Sequence, residues 1–132
     1  MAGSFRCTVV TPDRQVLDTD ATFVALPAHD GEIGILHNRA PLVCKLGIGV
    51  LRVTAGGGQQ RYFVDGGFAQ VLDNNLTVLT PKALSSDQID PAAAEASFRQ
   101  VAASHPTDEA GQNARQAGMQ RARAQLKAVR LG

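Results

Sequence analysis

The chain has 132 residues, which allows one domain or one small domain with an appended segment. Its 13 Lys and Arg residues nearly balance its 12 Asp and Glu residues, so net charge does not indicate nucleic-acid or membrane-surface binding. The sequence contains no run of about 18 apolar residues, so we expect no direct membrane span.

The segment before Pro81 is a series of short apolar runs interrupted by turn-forming residues. Runs rich in Val, Ile, Leu and Phe between Gly, Pro, Asn and Asp are typical of packed strands. The predicted strands are residues 5–10, 16–20, 21–26, 32–36, 42–46, 50–53, 60–64, 68–72 and 76–80. Many short strands without a helical pattern between them predict a β-sandwich, or flattened barrel, of about ten short strands.

Turn chemistry within this segment predicts how the strands connect. A tight turn is expected at Asp30-Gly31, and hairpins at residues 56–58 and 73–75, because Gly and Asn tolerate positive φ. Cys7 and Cys44 lie in predicted strands, and we expect two buried free thiols. The residue spacings do not match a metal site.

Alanine dominates after Pro81, which favours helix, and we expect residues 85–87 to be a linker. Asp90-Pro91 should begin a first helix and His105-Pro106 should end it. Thr107 or Asp108 should begin a second, and a short connection predicts an antiparallel α-helical hairpin. The apolar faces are Ala94, Phe98 and Val101 in the first helix and Met119, Ala122, Leu126 and Val129 in the second. We therefore expect a β-sandwich domain at 1–86 and a helical hairpin at 87–132.

The hairpin should be weakly held, because alanine dominates its facing residues and buries little area. Each of its few large apolar side chains contributes ~1.5–3 kcal/mol only if fully buried. The second helix carries five basic residues and no acid after Glu109; they are Arg115, Arg121, Arg123, Lys127 and Arg130. Without interleaved aromatic residues, a solvated face or an acidic protein partner is favoured over nucleic acid.

Candidate chemistry is sparse. His29, Asp30, Glu32 and His37 could form a metal or acid/base cluster, but a solvated turn is favoured because the strand between them has alternating faces. Residues 56–58 lack the Lys and following helix of a phosphate-binding loop. We expect no catalytic residues and no metal site.

Four motifs occur in a specific order: DGEIGIL at 30–36, APL at 40–42, GGFAQV at 66–71 and NNLTVL at 74–79. Together they resemble the epsilon subunit of F-type ATP synthases, whose mitochondrial counterpart is called delta. The resemblance covers essentially the whole chain and is weaker toward the C-terminus. It implies a sandwich at the foot of the central stalk that packs on the gamma subunit and touches the polar loops of the c-subunit ring.

The resemblance also implies interface residues. His29, Asp30, Gly31 and Glu32 match the family segment nearest the ring, and Asn38 and Arg39 match the neighbouring loop. That loop reads HNRAPL here, whereas the family more often has PGHAPL. These six residues are the candidates for the c-ring and gamma interface.

Some family members bind ATP in the hairpin through an I/L-D-x-x-R-A pattern and arginines of the second helix. Ala93 and Gln125 occupy two of the matching Arg positions here, so a bidentate phosphate partner is lost. Asp90 and Arg121 remain as ATP-site candidates, and we expect no cofactor.

The resulting hypothesis is a non-catalytic rotor subunit that links gamma to the c ring of a proton-translocating F-type ATP synthase. Its hairpin would restrain ATP hydrolysis through Arg115, Arg121 and Arg123, in transient contact with the catalytic alpha and beta subunits. The start of the sequence has neither a signal core nor an Arg-rich presequence, so we expect a peripheral position on the cytoplasmic face of the bacterial inner membrane. The alternatives are a stand-alone β-sandwich protein-binding module with a mobile helical tail and a small enzyme that uses residues 29–37.

Overall fold

The computed structural model describes the backbone of residues 3–131 and the side chains of residues 3–129. The strands are β1 Phe5–Val10, β2 Gln15–Ala21, β3 Phe23–Ala28, β4 Gly31–Ile35, β5 Leu42–Ala55, β6 Gly58–Leu72, β7 Asn75–Leu79 and β8 Ala83–Ser85. A short 3₁₀ helix at Ser86–Gln88 precedes the helices α1 Pro91–Ala102 and α2 Glu109–Leu131. The expected order of a strand-rich segment followed by two helices is confirmed.

β5 and β6 are each longer than the sequence predicts. The two strands expected on either side of residues 47–49 are one strand, and so are those on either side of residues 66–67. The ladder between β5 and β6 continues past these glycines, with Leu46 opposite Gly67. The glycines bend the strands without ending them. Within the described residues there are therefore eight strands rather than about ten, and residues 83–85, expected in part as linker, form β8.

The strands form one sheet that folds into two layers. Its hydrogen-bonded order is β2-β1-β7-β6-β5-β3-β4, and β8 pairs with β6. β1 and β7 run parallel, whereas the other neighbours are antiparallel. The second half of β6 pairs with β7, and its first half pairs with β8. The bent β5–β6 hairpin therefore belongs to both layers.

The main apolar core lies between these layers. Val9 of β1, Leu26 of β3 and Ile35 of β4 are fully buried in one cluster, although their strands lie toward opposite ends of the sheet order. They can meet only because the sheet folds over. The buried members of this core extend from Phe5 to Ala83, so the sandwich residues build it themselves.

The two thiols differ in burial. Cys7 is fully buried, and this burial raises the pKa of its thiol to about 12. Cys44 is only partly buried, contrary to expectation, because it packs at the margin of the core. Burial also raises the pKa of Cys44, so neither thiol is set up as a reactive thiolate.

Both predicted hairpin turns are confirmed. Gly56 and Gly57 connect Ala55 to Gly58 with φ values of 59° and 79°, and Asp73 and Asn74 connect β6 to β7 with 50° and 59°. Positive φ at both central residues is the type I′ geometry that matches the twist of paired strands.

The helices begin where the sequence predicts. Asp90 Oδ1 accepts hydrogen bonds from Ala92 N at 3.0 Å and Ala93 N at 3.3 Å, and Pro91 is the first helical residue. Asp108 Oδ1 accepts from Gly111 N at 2.9 Å just before α2. α1 ends at Ala102, before the expected stop at residues 105–106. Within residues 3–131, the helices are too short or too polar to cross a membrane.

The hairpin packs on the outer face of the β5–β6 hairpin. A second apolar cluster joins Val50 and Phe63 of the sandwich to Ile89 and to Ala124 and Ala128 of α2. Phe63 is fully buried there, whereas its neighbours Tyr62 and Val64 belong to the main core. Alternation along β6 therefore directs one large side chain outward to receive the helix.

The buried face of α2 differs from the predicted one. Ala122 is buried as expected, but Met119, Leu126 and Val129 are only half-buried. The fully buried positions against the sandwich are alanines, because small side chains let the helix approach the sheet closely. In α1, Ala94 is buried while Phe98 and Val101 are half-buried. The contact is therefore modest in apolar area, as the composition indicates.

Gly67→Ala is expected to destabilise the sandwich by roughly 2–4 kcal/mol. Gly67 has φ of 107°, and an added Cβ would collide with Leu79 O and lie 2.8 Å from Thr80 Cα. Urea-induced unfolding followed by circular dichroism measures the loss. Gly58→Ala is the matched control, because the nearest atom to its Cβ would be 3.9 Å away. Equal stability of the two variants would contradict this account of the bend.

Candidate functional site

The predicted interface segment begins at the turn between β3 and β4. Ala28 pairs with Gly31, so His29 and Asp30 are the two turn residues, and the turn lies one position earlier than expected. His29 N donates to Lys45 O at 2.8 Å, which fixes the turn against β5. The side chains of His29 and Asp30 are exposed and free to meet a partner.

Glu32 lies on β4, the last strand in the sheet order. Its Oε1 accepts a hydrogen bond from Arg52 Nη2 at 2.8 Å, and 51% of its side chain remains exposed. The ion pair holds the carboxylate at the surface without burying it. β4 therefore presents an ordered acidic group beside an open strand edge.

Asn38 and Arg39 lie in the loop between β4 and β5. Asn38 N donates to Asn74 Oδ1 at 2.6 Å, and Asn74 Nδ2 donates back to Asn38 Oδ1 at 3.1 Å. Asn38 has φ of 61°, a conformation that Asn tolerates better than most residues. This amide pair fastens the loop to the β6–β7 turn and leaves Arg39 exposed.

The two predicted interface segments lie at opposite ends of β4, about 13 Å apart along the strand. They form two contact points rather than one cluster. Beside the Asn38 loop and the β6–β7 turn, three large apolar side chains are exposed, namely Leu36, Val43 and Leu72. This end of the sandwich is therefore a mixed polar and apolar surface.

The possible metal or acid/base cluster does not assemble. Glu32 pairs with Arg52, whereas the His37 ring lies beside Gly3. Among residues 3–131, no three His, Cys, Asp or Glu side chains come together in a way that could hold a metal ion. The structure thus separates the residues on which the small-enzyme alternative depends.

An exposed apolar groove is a feature that the sequence analysis missed. Phe68 and Leu79 face each other across β6 and β7 and are 56% and 52% exposed. With Val10, Pro12 and Pro81 they line a groove of about 450 Å³. The signal was in the strand alternation, because Phe68 is out of phase with the inward-facing Ala69 and Val71. Such an unpartnered apolar patch is typical of a protein interface.

The three candidate inhibitory arginines each have an intramolecular partner. Arg115 donates to Ala102 O at 2.8 Å and to Ser104 O at 3.2 Å, and so binds the C-terminal end of α1. The Arg123 guanidinium lies 5.4 Å from the centre of the Phe98 ring.

Arg121 Nε donates to Asp65 Oδ2 of β6 at 2.9 Å. Arg115 and Arg123 therefore join the two helices to each other, whereas Arg121 joins α2 to the sandwich. The side chain of Arg130, the last of the five basic residues of α2, lies outside the described residues.

The two ATP-site candidates are engaged in different contacts. The Asp90 carboxylate caps α1, and Arg121 is bound to Asp65. Among the described side chains, no hydrogen bond links Asp90 to Arg121.

A cleft of about 360 Å³ separates the β3–β4 turn from α2. His29 and Ile48 line it on the sandwich side and Gln120 lines it on the helix side. One wall of the cleft belongs to the sandwich and the other to the hairpin. The distance between the two walls therefore reports whether the hairpin is docked on the sandwich.

Residues 4–86 match the family described as ATP synthase, Delta/Epsilon chain, beta-sandwich domain. A protein of Rhodopirellula baltica named ATP synthase epsilon chain is 45% identical over 127 residues, which are 96% of this chain and 99% of the relative. A protein of the same name from a Synechococcus strain is 41% identical over 94% of this chain and 92% of its own.

Two solved structures share the fold. A chain in the cryo-EM structure of the Euglena gracilis mitochondrial ATP synthase, OSCP/F1/c-ring, matches with a TM-score of 0.83 and 25% identity over 95% of this chain and 80% of that one. A chain in the central stalk/c-ring structure of the Tetrahymena thermophila mitochondrial ATP synthase matches with a TM-score of 0.69 and 17% identity. The alignment covers 94% of this chain and 95% of the Tetrahymena chain. The likeness includes the helices as well as the sandwich.

Proposed function

The chain belongs to the delta/epsilon chain family of ATP synthases, and from this premise we propose that it is a central-stalk rotor subunit of an F-type ATP synthase. It links the gamma subunit to the c ring, so that proton flow through the ring drives rotation. The observation that carries the proposal is 45% identity to an epsilon chain over 96% of the sequence. The subunit acts by binding and has no catalytic residues of its own.

We assign the apolar groove around Phe68 and Leu79 to the gamma subunit. A rotor contact must persist through every turn of the complex, and permanent interfaces are more apolar than transient ones. The groove supplies exposed apolar area on the rigid β6–β7 pair. Its position on paired strands keeps the shape fixed under torque.

We assign the β4 edge to the c ring. His29, Asp30, Gly31 and Glu32 offer an exposed polar turn, and Asn38 and Arg39 offer a second polar contact at the other end of β4. These exposed polar groups complement the polar loops of the c subunits. Charge and hydrogen bonds between them set the register and orientation of the chain on the ring. Through these contacts the chain is held peripherally at the membrane-bound complex, on the cytoplasmic face of a bacterial inner membrane.

The sandwich at 1–86 and the hairpin at 87–132 act as separate domains. The main core extends only to Ala83, and modest apolar area holds α2 on the sheet. The hairpin can therefore leave the sandwich and place the basic residues of α2 against acidic surfaces of the catalytic alpha and beta subunits. That contact would obstruct rotation in the hydrolysis direction and so restrain ATP hydrolysis.

Glu32→Cys, labelled with a thiol-reactive photo-cross-linker, is expected to cross-link to the polar loops of the c subunits and block rotation. The substitution costs little stability, because Glu32 is exposed and its ion pair with Arg52 is a surface pair. Cross-linked products are identified by mass spectrometry in a Cys44→Ser background. Asp13→Cys, beside the apolar groove, is the comparison and should cross-link to gamma instead. Cross-linking of Glu32→Cys only to catalytic subunits would overturn the assignment.

ATP is not expected to bind the full chain at micromolar concentration. Asp90 caps a helix, Arg121 is bound to Asp65, and Ala93 and Gln125 supply no guanidinium. Calorimetric titration with Mg-ATP measures this directly. The double variant Ala93→Arg, Gln125→Arg provides a comparison that should bind more tightly. Micromolar affinity of the unaltered chain would contradict the expectation.

Truncation after Asp87 is expected to leave assembly and ATP synthesis intact while raising ATP hydrolysis by the complex. A rise of roughly fivefold or more corresponds to ordinary regulatory coupling. Replacing Arg115, Arg121 and Arg123 with Ala should reproduce part of the rise, whereas Arg99→Ala, on the exposed face of α1, should not. Hydrolysis is measured in de-energised membranes at low and high salt. No increase after truncation would show that the hairpin is not an inhibitor.

A further inference from the structure

An ion pair between Arg121 and Asp65 joins the hairpin to the sandwich. Among the ion pairs of the described residues, only Arg121–Asp65 crosses between the two. The others lie within the sandwich or within α1. The Arg121 side chain is 47% exposed and that of Asp65 is 23% exposed, so water and a competing partner can reach the pair.

The sandwich holds Asp65 in place for this contact. Asp65 N donates to Lys82 O at 3.3 Å, which ties the residue to the connection before β8. Asp65 is two residues beyond Phe63 on β6, so both side chains project toward α2. The carboxylate and the apolar anchor therefore act on the same helix face.

The three arginines that we propose as inhibitory differ in which contacts they lose when the hairpin leaves the sandwich. Arg115 binds carbonyls at the end of α1, and Arg123 stacks on Phe98 of α1. Both contacts persist if the two helices move together. Arg121 alone must give up a partner on the sandwich, because its carboxylate ligand belongs to β6.

We infer that Asp65 is an intramolecular competitor for Arg121, which holds the hairpin docked until an acidic surface of the catalytic subunits takes the guanidinium from it. This inference rests on the proposed inhibitory function. The competition is close, because an exposed ion pair shifts the equilibrium between docked and released hairpins only by about two- to fivefold. A partner with comparable charge can therefore reverse it, and salt weakens both contacts.

Asp65→Asn and Arg121→Ala distinguish the contact of Arg121 with the sandwich from its proposed contact with the catalytic subunits. Each removes the contact to the sandwich, so each should raise the ratio of released to docked hairpins by about two- to fivefold. Only Asp65→Asn keeps the guanidinium for the catalytic subunits. It should therefore lower ATP hydrolysis by the complex, whereas Arg121→Ala should not lower it.

The released fraction is measured in the full chain by electron–electron double resonance. Spin labels at His29→Cys and Gln120→Cys, in a Cys44→Ser background, report the two walls of the cleft between sandwich and hairpin. Asp18→Asn is the matched control, because it breaks a similarly exposed ion pair with Arg6 inside the sandwich. It should leave both the released fraction and the hydrolysis rate unchanged.

The outcomes distinguish this inference from the inhibitory function. An unchanged released fraction in both Asp65→Asn and Arg121→Ala would overturn the competitor role of Asp65. A raised released fraction with higher hydrolysis in Asp65→Asn would overturn it as well, since a freed Arg121 should add inhibition. If the released fraction rises while truncation after Asp87 leaves hydrolysis unchanged, the intramolecular contact stands and the inhibitory function fails.

Discussion

The close approach of Gly67 to the Leu79–Thr80 backbone lets a single hairpin belong to both layers of the sandwich. Beyond this bend, β6 pairs with β7 and helps build one layer, while the stretch before it pairs with β8 in the other. In the stretch before the bend, strand alternation places Phe63 and Asp65 on the outer face, where α2 packs. Core, groove and docking surface therefore depend on one backbone geometry that a side chain at position 67 would disturb.

Local chemistry made much of the fold predictable from sequence. The ends of β1, the caps at Asp90 and Asp108, and the turns at residues 56–57 and 73–74 follow from residue types within a few positions. Interactions distant in sequence were not predictable in this way. The parallel pairing of β1 with β7 joins strands about seventy residues apart, which no local pattern encodes. Continuity of β5 and β6 was missed because glycine marks a bend as readily as a strand end.

The candidate site, like the fold, was predictable where local sequence sets it and not where distant contacts do. Exposure of Glu32 and Arg39 followed from the motifs and turn residues, whereas the Arg52 partner of Glu32 and the Asn38–Asn74 pair needed the folded sheet. Helical periodicity favoured large side chains as the buried face of α2. The sheet instead selected alanines, because close approach of a helix to a flat surface excludes long side chains. Among the described residues, the hairpin is consequently held by limited apolar area and by the exchangeable Arg121–Asp65 ion pair, which suits a segment that must change partners.

Affinity purification of the tagged chain from native membranes, followed by mass spectrometry, tests the central claim most directly. A central-stalk rotor subunit must be held by the complex throughout rotation, so gamma, the c subunit and the catalytic subunits should be recovered with it in fixed proportion. The chain carrying Phe68→Asp and Leu79→Asp, which places charge in the apolar groove assigned to gamma, should recover less gamma and, with it, less of the catalytic subunits. Recovery of the unaltered chain alone, or with proteins unrelated to the ATP synthase, would contradict the account.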